Sequence, residues 1–227
     1  LFCRLANYIG EELLNGAKSL RYILSPTTNL NHIDLDYCRL KKITVLSLKD
    51  IPNEIDRIYS TSELNLFLII GLIRNIFLAE SIWEKTGPID RMKFRGRELS
   101  KMKVGIVGLG RIGKHLKNYL ESLKAKVFFY DIGLTNEYKN KYFCSSLEEL
   151  IFKSDIISIN ADLNKLSNKM FSEKEFSLLK NKYLVNTARA EIIEKKFLIK
   201  ALSENVLMGY ATDVYWNEQK NNDHYDL

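Results

Sequence analysis

The stretch Gly108-Leu109-Gly110-Arg111-Ile112-Gly113 follows the apolar run Val104-Gly105-Ile106-Val107 and opens a segment of helical pattern. A strand that ends in G-x-G-x-x-G and passes into a helix is the dinucleotide-binding turn. Its first glycine makes the tight turn, its second lets backbone approach a pyrophosphate, and its third lets the helix pack close to the strand. The phosphates then meet free N–H groups at the positive end of the helix dipole. Many chains carry the glycines alone. Here a second apolar run, Val127-Phe128-Phe129-Tyr130, ends in Asp131, eighteen residues after Gly113. A carboxylate there accepts hydrogen bonds from the adenosine ribose and repels a 2′-phosphate, which favours NAD over NADP.

Working outward, short apolar runs alternate with amphipathic segments. Strands are expected at Val104–Val107, Val127–Tyr130, Ile156–Ile159, Tyr183–Asn186 and Met208–Thr212, and helices at Arg111–Ser122, Leu147–Phe152, Glu173–Leu179 and Glu194–Glu204. Ser146 and Ser172 stand where N-caps belong. This rhythm predicts an α/β fold: a Rossmann-type doubly wound parallel sheet covered on both faces. Upstream, Arg21–Leu24, a helical turn after Asp34, and Thr44–Leu48 form part of a second, smaller α/β unit, which sets the expected domains at 1–60 and 61–227. Between them, Ser62 to Trp83 is apolar nearly all round, with Thr61 and Ser62 as caps. A helix of that kind must be buried, in the core, between the domains or against another subunit.

Composition narrows the function classes. The 227 residues carry 34 Lys+Arg against 28 Asp+Glu, a net charge of +6. The cations are scattered among acids, and the densest group, Arg91 to Arg97, lacks aromatic interleaving beyond Phe94, so no nucleic-acid partner is expected. The longest apolar stretch, Leu66 to Ile73, falls well short of the ~20 residues of a membrane span, so no membrane association is expected. Cys3, Cys38 and Cys144 form no CxxC pair, which argues against a metal site or a disulfide framework and for a cytoplasmic location. The chain opens Leu1-Phe2-Cys3 without Met, as if partway along a strand, and is expected to be a piece of a longer protein.

Five segments in order carry a likeness to one family: Asn31-His32-Ile33-Asp34, Ser62-Glu63, Gly96-Arg97-Glu98-Leu99 leading into the glycine turn, Asn186-Thr187-Ala188-Arg189, and Ala211-Thr212-Asp213-Val214-Tyr215. In these the chain resembles the NAD-dependent D-isomer-specific 2-hydroxyacid dehydrogenases, which include phosphoglycerate dehydrogenase-like enzymes. The resemblance implies a Rossmann domain beside part of a flavodoxin-like substrate domain, NAD as cofactor, and a small 2-hydroxy or 2-keto acid as substrate, while the apolar 62–83 helix leads to the expectation of a homodimer through that region. It implies that Gly108, Gly110, Arg111, Ile112 and Gly113 hold the pyrophosphate, and that Ala161 and Ser167 lie near the cofactor. Thr187 and Ala188 present backbone to the nicotinamide, and Asp213 bonds its amide. Arg189 binds the substrate, its planar fork suiting a carboxylate at a strand end. Glu218, 29 residues after Arg189, matches the glutamate that holds a catalytic histidine. Thr28 and Asn29 occupy the turn whose backbone N–H groups hold the substrate carboxylate.

Departures from the family pattern set further expectations. Asn29 replaces a common glycine in a turn expected to need positive φ, which Asn tolerates better than most residues. Ala190 replaces the glycine that usually follows the arginine, and Asp162 a frequent proline. The family's histidine belongs in a Pro-His pair some twenty residues beyond Glu218. His32 sits in a structural turn, His115 on the helix after the phosphate loop, and His224 lacks the preceding proline. A chain without that proton donor is expected to bind NAD but turn over poorly. Two alternatives stay open: an NAD(H)-binding regulatory protein of the same fold, and a generic NAD domain from another dehydrogenase or an epimerase.

Overall fold

A computed structural model describes residues 1–3, 7–88, 90–134 and 140–216. The described residues form two compact units, Leu1–Ile58 and Tyr59–Trp216. The expectations at Glu218 and His224 lie outside the described residues.

The first unit holds α1 (Glu11–Leu14), β1 (Tyr22–Ser25), α2 (Leu35–Leu40), β2 (Thr44–Ser47) and α3 (Pro52–Ile55). β1 and β2 pair in parallel, Tyr22 opposite Thr44 through Ser25 opposite Ser47. Asp34 caps α2 by accepting a hydrogen bond from the Tyr37 N–H at 2.8 Å, which satisfies one of the orphan donors of the helix start. Ile23, Ile33, Cys38 and Ile43 are buried together in the core of this unit.

The second unit is built from α4 (Ser60–Ile73), α5 (Ile76–Thr86), β3 (Lys103–Val107), α6 (Arg111–Ser122), β4 (Lys126–Tyr130), α7 (Leu147–Lys153), β5 (Ile156–Ile159), α8 (Glu173–Leu178), β6 (Tyr183–Asn186), α9 (Lys195–Ser203) and β7 (Gly209–Thr212). Its five strands are all parallel, in the order β4-β3-β5-β6-β7. The period of two along each strand divides the core into two layers. Val104, Ile106, Ile156 and Val185 pack with Ile69 of α4 and Leu116 and Leu120 of α6. Val107, Ile157, Ile159 and Leu184 pack on the other face with Leu150 of α7, Phe176 of α8 and Leu198 of α9. Sheet and helices are thus the expected doubly wound parallel arrangement. Ser146 caps α7 by accepting from the Glu149 N–H at 3.1 Å, and at α8 the Glu175 carboxylate accepts from both the N–H and the hydroxyl of Ser172.

The segment expected as one buried helix from Ser62 to Trp83 is two helices. The chain breaks at Arg74 and Asn75, where Asn75 adopts a left-handed φ of 55°, and the following helix departs at 63°. Asn is among the few side chains that enter this region readily, so the break is placed where the sequence tolerates it. α4 buries Ser62, Asn65, Ile69, Gly71 and Ile73, whereas no residue of α5 is buried and Trp83 is 56% exposed. Burying Ile69 and Ile73 contributes about 1.5–3 kcal/mol each. The caps differ too: α4 starts at Ser60, and Ser62 instead donates its hydroxyl to the Ile112 carbonyl at 3.3 Å, tying α4 to α6. No single helix among the described residues is long and apolar enough to cross a membrane.

Candidate functional site

Because every strand of the larger sheet runs the same way, the carboxyl ends of β3, β4, β5, β6 and β7 share one edge. The chain leaves β3 toward β4 on one side and reaches β5 on the other, so the strand order reverses at β3, and a crevice opens there in sheets of this kind. Gly108 follows β3 with φ of 91°, and a Cβ at that position would come within 2.8 Å of the Ala161 backbone. Glycine is required for both the turn and the contact. A Cβ on Gly113 would lie 2.1 Å from the Gly108 carbonyl oxygen, so the first turn of α6 packs directly against the end of β3. Gly110 is the opposite case: it is exposed, precedes α6, and has no neighbour within 4 Å of an added Cβ. Two glycines therefore shape the turn and one keeps its outer surface clear, which is the cradle a pyrophosphate needs. Arg111 and Ile112 form the first turn of α6, half-buried beside it.

Asp131 follows β4 and is locked to this turn. One carboxylate oxygen accepts from the Leu109 N–H and the other from the Gly133 N–H, both at 2.7 Å. Each oxygen retains a lone pair for a further donor. Burial, together with the Glu148 and Asp131 carboxylates, raises the phenol of neighbouring Tyr130 above its usual pKa and keeps it protonated.

At the end of β6 the Asn186 side chain holds the next three residues in shape. It accepts from the Ala188 N–H and donates to the Arg189 carbonyl, each at 3.0 Å. The backbone carbonyl of Asn186 accepts from the Thr212 hydroxyl at 2.8 Å, which joins the end of β6 to that of β7. Arg189 is half-buried and donates one guanidinium N–H to the Ala188 carbonyl at 2.6 Å. That leg of the fork is held on the strand end, and the guanidinium has five N–H donors in all. Asp213 is exposed just beyond β7.

Ser167 is buried, and its hydroxyl works within its own loop, donating to the Asp162 carbonyl at 2.6 Å and accepting from the Asn164 N–H at 2.8 Å. The edge thus gathers the glycine turn, Asp131, Ala161, Thr187, Ala188, Arg189 and Asp213. Thr28 and Asn29 belong to the smaller unit, where with Tyr8, Arg39 and Lys49 they line a cavity of about 520 Å³. Asn29 does not adopt the positive φ expected of it; its side chain instead turns on its own backbone, accepting from the Asn31 N–H at 3.0 Å. His32 is fully buried beside Ser25, and His115 lies against Tyr59 with ring centroids 4.7 Å apart and the rings tilted by 40°.

Sequence reasoning missed Asn65. This residue lies in an otherwise apolar helix, is fully buried, and faces the sheet. Its amide donates to Asn160 Oδ1 at 2.9 Å and to Thr187 Oγ1 at 2.8 Å, while its own Oδ1 accepts from the Ser158 hydroxyl at 2.9 Å. An unpartnered amide at such a depth costs about 1–3 kcal/mol, so its partners must be in place. A lone Asn within Leu64-Asn65-Leu66-Phe67-Leu68 was the available signal.

This geometry has known counterparts. A family described as the NAD binding domain of D-isomer specific 2-hydroxyacid dehydrogenase matches residues 66–226. The chain belongs to this family. The glyoxylate reductase of Thermofilum pendens is 31% identical over 96% of the chain and 65% of its own length. The 4-methyl-2-oxopentanoate reductase A of Aspergillus oryzae is 30% identical over 88% of the chain and 60% of its own length. Among solved structures, the D-lactate dehydrogenase of Aquifex aeolicus complexed with NAD and lactic acid superposes with a TM-score of 0.79 at 30% identity, covering 95% of this chain and 64% of that one. An NAD-dependent formate dehydrogenase from Staphylococcus aureus, in complex with NAD, gives 0.81 at 26% identity, covering 98% of this chain and 67% of that one. The chain therefore spans about two thirds, or somewhat less, of the length of these enzymes.

Proposed function

We propose that the protein is an NAD-dependent oxidoreductase acting on the CH–OH group of a D-2-hydroxy acid, moving a hydride to or from the corresponding 2-keto acid. The observation that carries this reading is the position of Arg189 on the same sheet edge as the glycine turn and Asp131. Such an edge would put a cation for a 2-keto acid on the side of the sheet that would take the cofactor.

NAD fits the residues present: an open helix start at Gly110, a turn that only glycine can make at Gly108, and a carboxylate at Asp131 with lone pairs to spare. When bound, it supplies the hydride acceptor or donor. Arg111 and Ile112 would line the pyrophosphate. Ala161, Ser167, Thr187 and Ala188 would border the nicotinamide half, with Asp213 accepting from its amide. Arg189 would hold the substrate carboxylate and polarise its carbonyl, a charge placed where negative charge develops during reduction. In the smaller unit, Thr28 and Asn29 would offer backbone N–H groups to a carboxylate. Glu218 would hold the histidine that moves the alkoxide proton, a role given to neither His32 nor His115. A homodimer would cover the apolar side chains that α4 and α5 expose, among them Phe67, Leu78 and Trp83, each more than half exposed. The protein would act in the cytoplasm.

The reading is tested with a panel of short 2-keto acids, glyoxylate, pyruvate and branched-chain keto acids included, each offered with NADH or NADPH while cofactor absorbance is followed. Turnover of at least one acid with preference for NADH is expected. Tight NADH binding by the whole protein without turnover of any acid would replace this reading with that of an NAD(H)-binding regulator.

A further inference from the structure

The hydrogen bonds around Asn65 close on themselves. Asn65 Nδ2 donates to Asn160 Oδ1, Asn160 Nδ2 donates to Ser158 Oγ at 2.9 Å, and the Ser158 hydroxyl donates to Asn65 Oδ1. Each group gives to the next in a single sense, so each bond polarises its neighbour and the three side chains hold one orientation. The second proton of the Asn65 amide goes to Thr187 Oγ1, and that of Asn160 to the Ser158 carbonyl at 3.2 Å. Both Asn65 protons are therefore committed, one to the residue that follows β5 and one to the residue that follows β6.

Those two residues lie at the cofactor edge. Asn160 precedes Ala161, whose backbone would be only 2.8 Å from a Cβ on Gly108, so the position of Asn160 sets how closely the β5 end approaches the glycine turn. Thr187 precedes Ala188 and Arg189. Thr187 Oγ1 accepts from Asn65, and among the described residues no hydrogen bond takes the Thr187 hydroxyl proton. An apolar side chain at position 65 would fill the core but leave Ser158, Asn160 and Thr187 with unmatched polar atoms, and the strand ends would rearrange to find others.

We infer that Asn65 is a positioning residue for the cofactor. Through its ring with Ser158 and Asn160 and its bond to Thr187, it fixes the ends of β5 and β6 against the glycine turn in the arrangement that NADH requires. Neither Asn65 nor Ser158 touches the cofactor in this account. The inference rests on NAD occupying this edge.

The test is NADH binding by fluorescence titration alongside thermal unfolding, in the unaltered protein and in Asn65→Leu, Ser158→Ala and Ile69→Val. Ile69 is a buried α4 residue outside the ring. Asn65→Leu should raise the NADH Kd about tenfold and Ser158→Ala about threefold. Ile69→Val should leave Kd within about twofold even at a matched fall in melting temperature. Thr187→Val, which removes the oxygen that Asn65 donates to, should follow Asn65→Leu. Should Asn65→Leu not fold, Ser158→Ala and Thr187→Val, each read against Ile69→Val, decide. Unchanged Kd in the ring variants, or an equal rise in Ile69→Val, would overturn the inference. No NADH binding by the unaltered protein would overturn the cofactor reading along with it.

Discussion

The carboxylate of Asp131 accepts a hydrogen bond from the Leu109 N–H at 2.7 Å, so the residue that follows β4 holds the glycine turn that follows β3. One side chain thereby shapes the glycine turn and, in the proposed reading, would also serve the adenosine ribose.

Replacing Asp131 with Ala should consequently weaken both cofactors through the turn, and NADH further through the ribose. We expect the NADH Kd to rise about tenfold or more and the NADPH Kd by clearly less, because removing the carboxylate also removes its repulsion of the 2′-phosphate. Parallel fluorescence titrations read both constants. An equal loss for the two cofactors would remove Asp131 from the ribose site.

The glycines should separate folding from binding. Gly113→Ala drives a methyl into the Gly108 carbonyl and should cost about 1–3 kcal/mol of stability, seen as a lower melting temperature. Gly110→Ala meets no protein atom, at an ordinary φ of −68°, and should leave the melting temperature nearly unchanged while raising the NADH Kd, because the methyl occupies the space the pyrophosphate needs. A Gly110→Ala protein that binds NADH like the parent would contradict the cradle.

Much of this architecture was legible beforehand. Ile156–Ile159 and Tyr183–Asn186 form strands at the expected residues, and Arg111–Ser122 a helix at the expected residues, because short apolar runs bounded by polar turns admit few other readings. The edge was legible for the same reason: strand ends in a parallel sheet share one side, and Gly108, Asp131, Thr187 and Asp213 each directly follow a strand. The break at Asn75 was hidden, since apolar periodicity continues through Ile76, Phe77 and Leu78 and no proline marks it. Asn65 was hidden because its partners Ser158, Asn160 and Thr187 are some 90 to 120 residues away and meet it only in the folded sheet. The reach of Arg189 was hidden as well: its bond to the Ala188 carbonyl is a matter of rotamer, which no spacing encodes.

Acid should destabilise the larger unit through α7. A hydrogen bond from Lys174 holds the Glu148 carboxyl down to about 2, and bonds from Lys153 and the Ser145 N–H hold Glu149 down to about 2, against an ordinary 4.5. Carboxyls lowered in the folded state stabilise it fully above the unfolded value and lose that contribution as pH falls toward the folded one. The melting temperature should thus decline between about pH 4.5 and 2. Both groups are partly exposed, so solvent screening keeps the effect modest. Glu149→Gln should melt lower than the parent at neutral pH and converge with it near pH 2. Two curves that stay parallel throughout would rule out this origin.

The central claim is that Arg189 serves the substrate on an edge where the neighbouring turn serves NAD. The most direct measurement is kcat/KM for a 2-keto acid in Arg189→Ala of the whole protein, with the NADH Kd measured on the same preparation. Loss of a charge-assisted contact to the reacting acid should lower kcat/KM by about a hundredfold or more while the NADH Kd stays within about twofold. An unchanged kcat/KM would contradict the account.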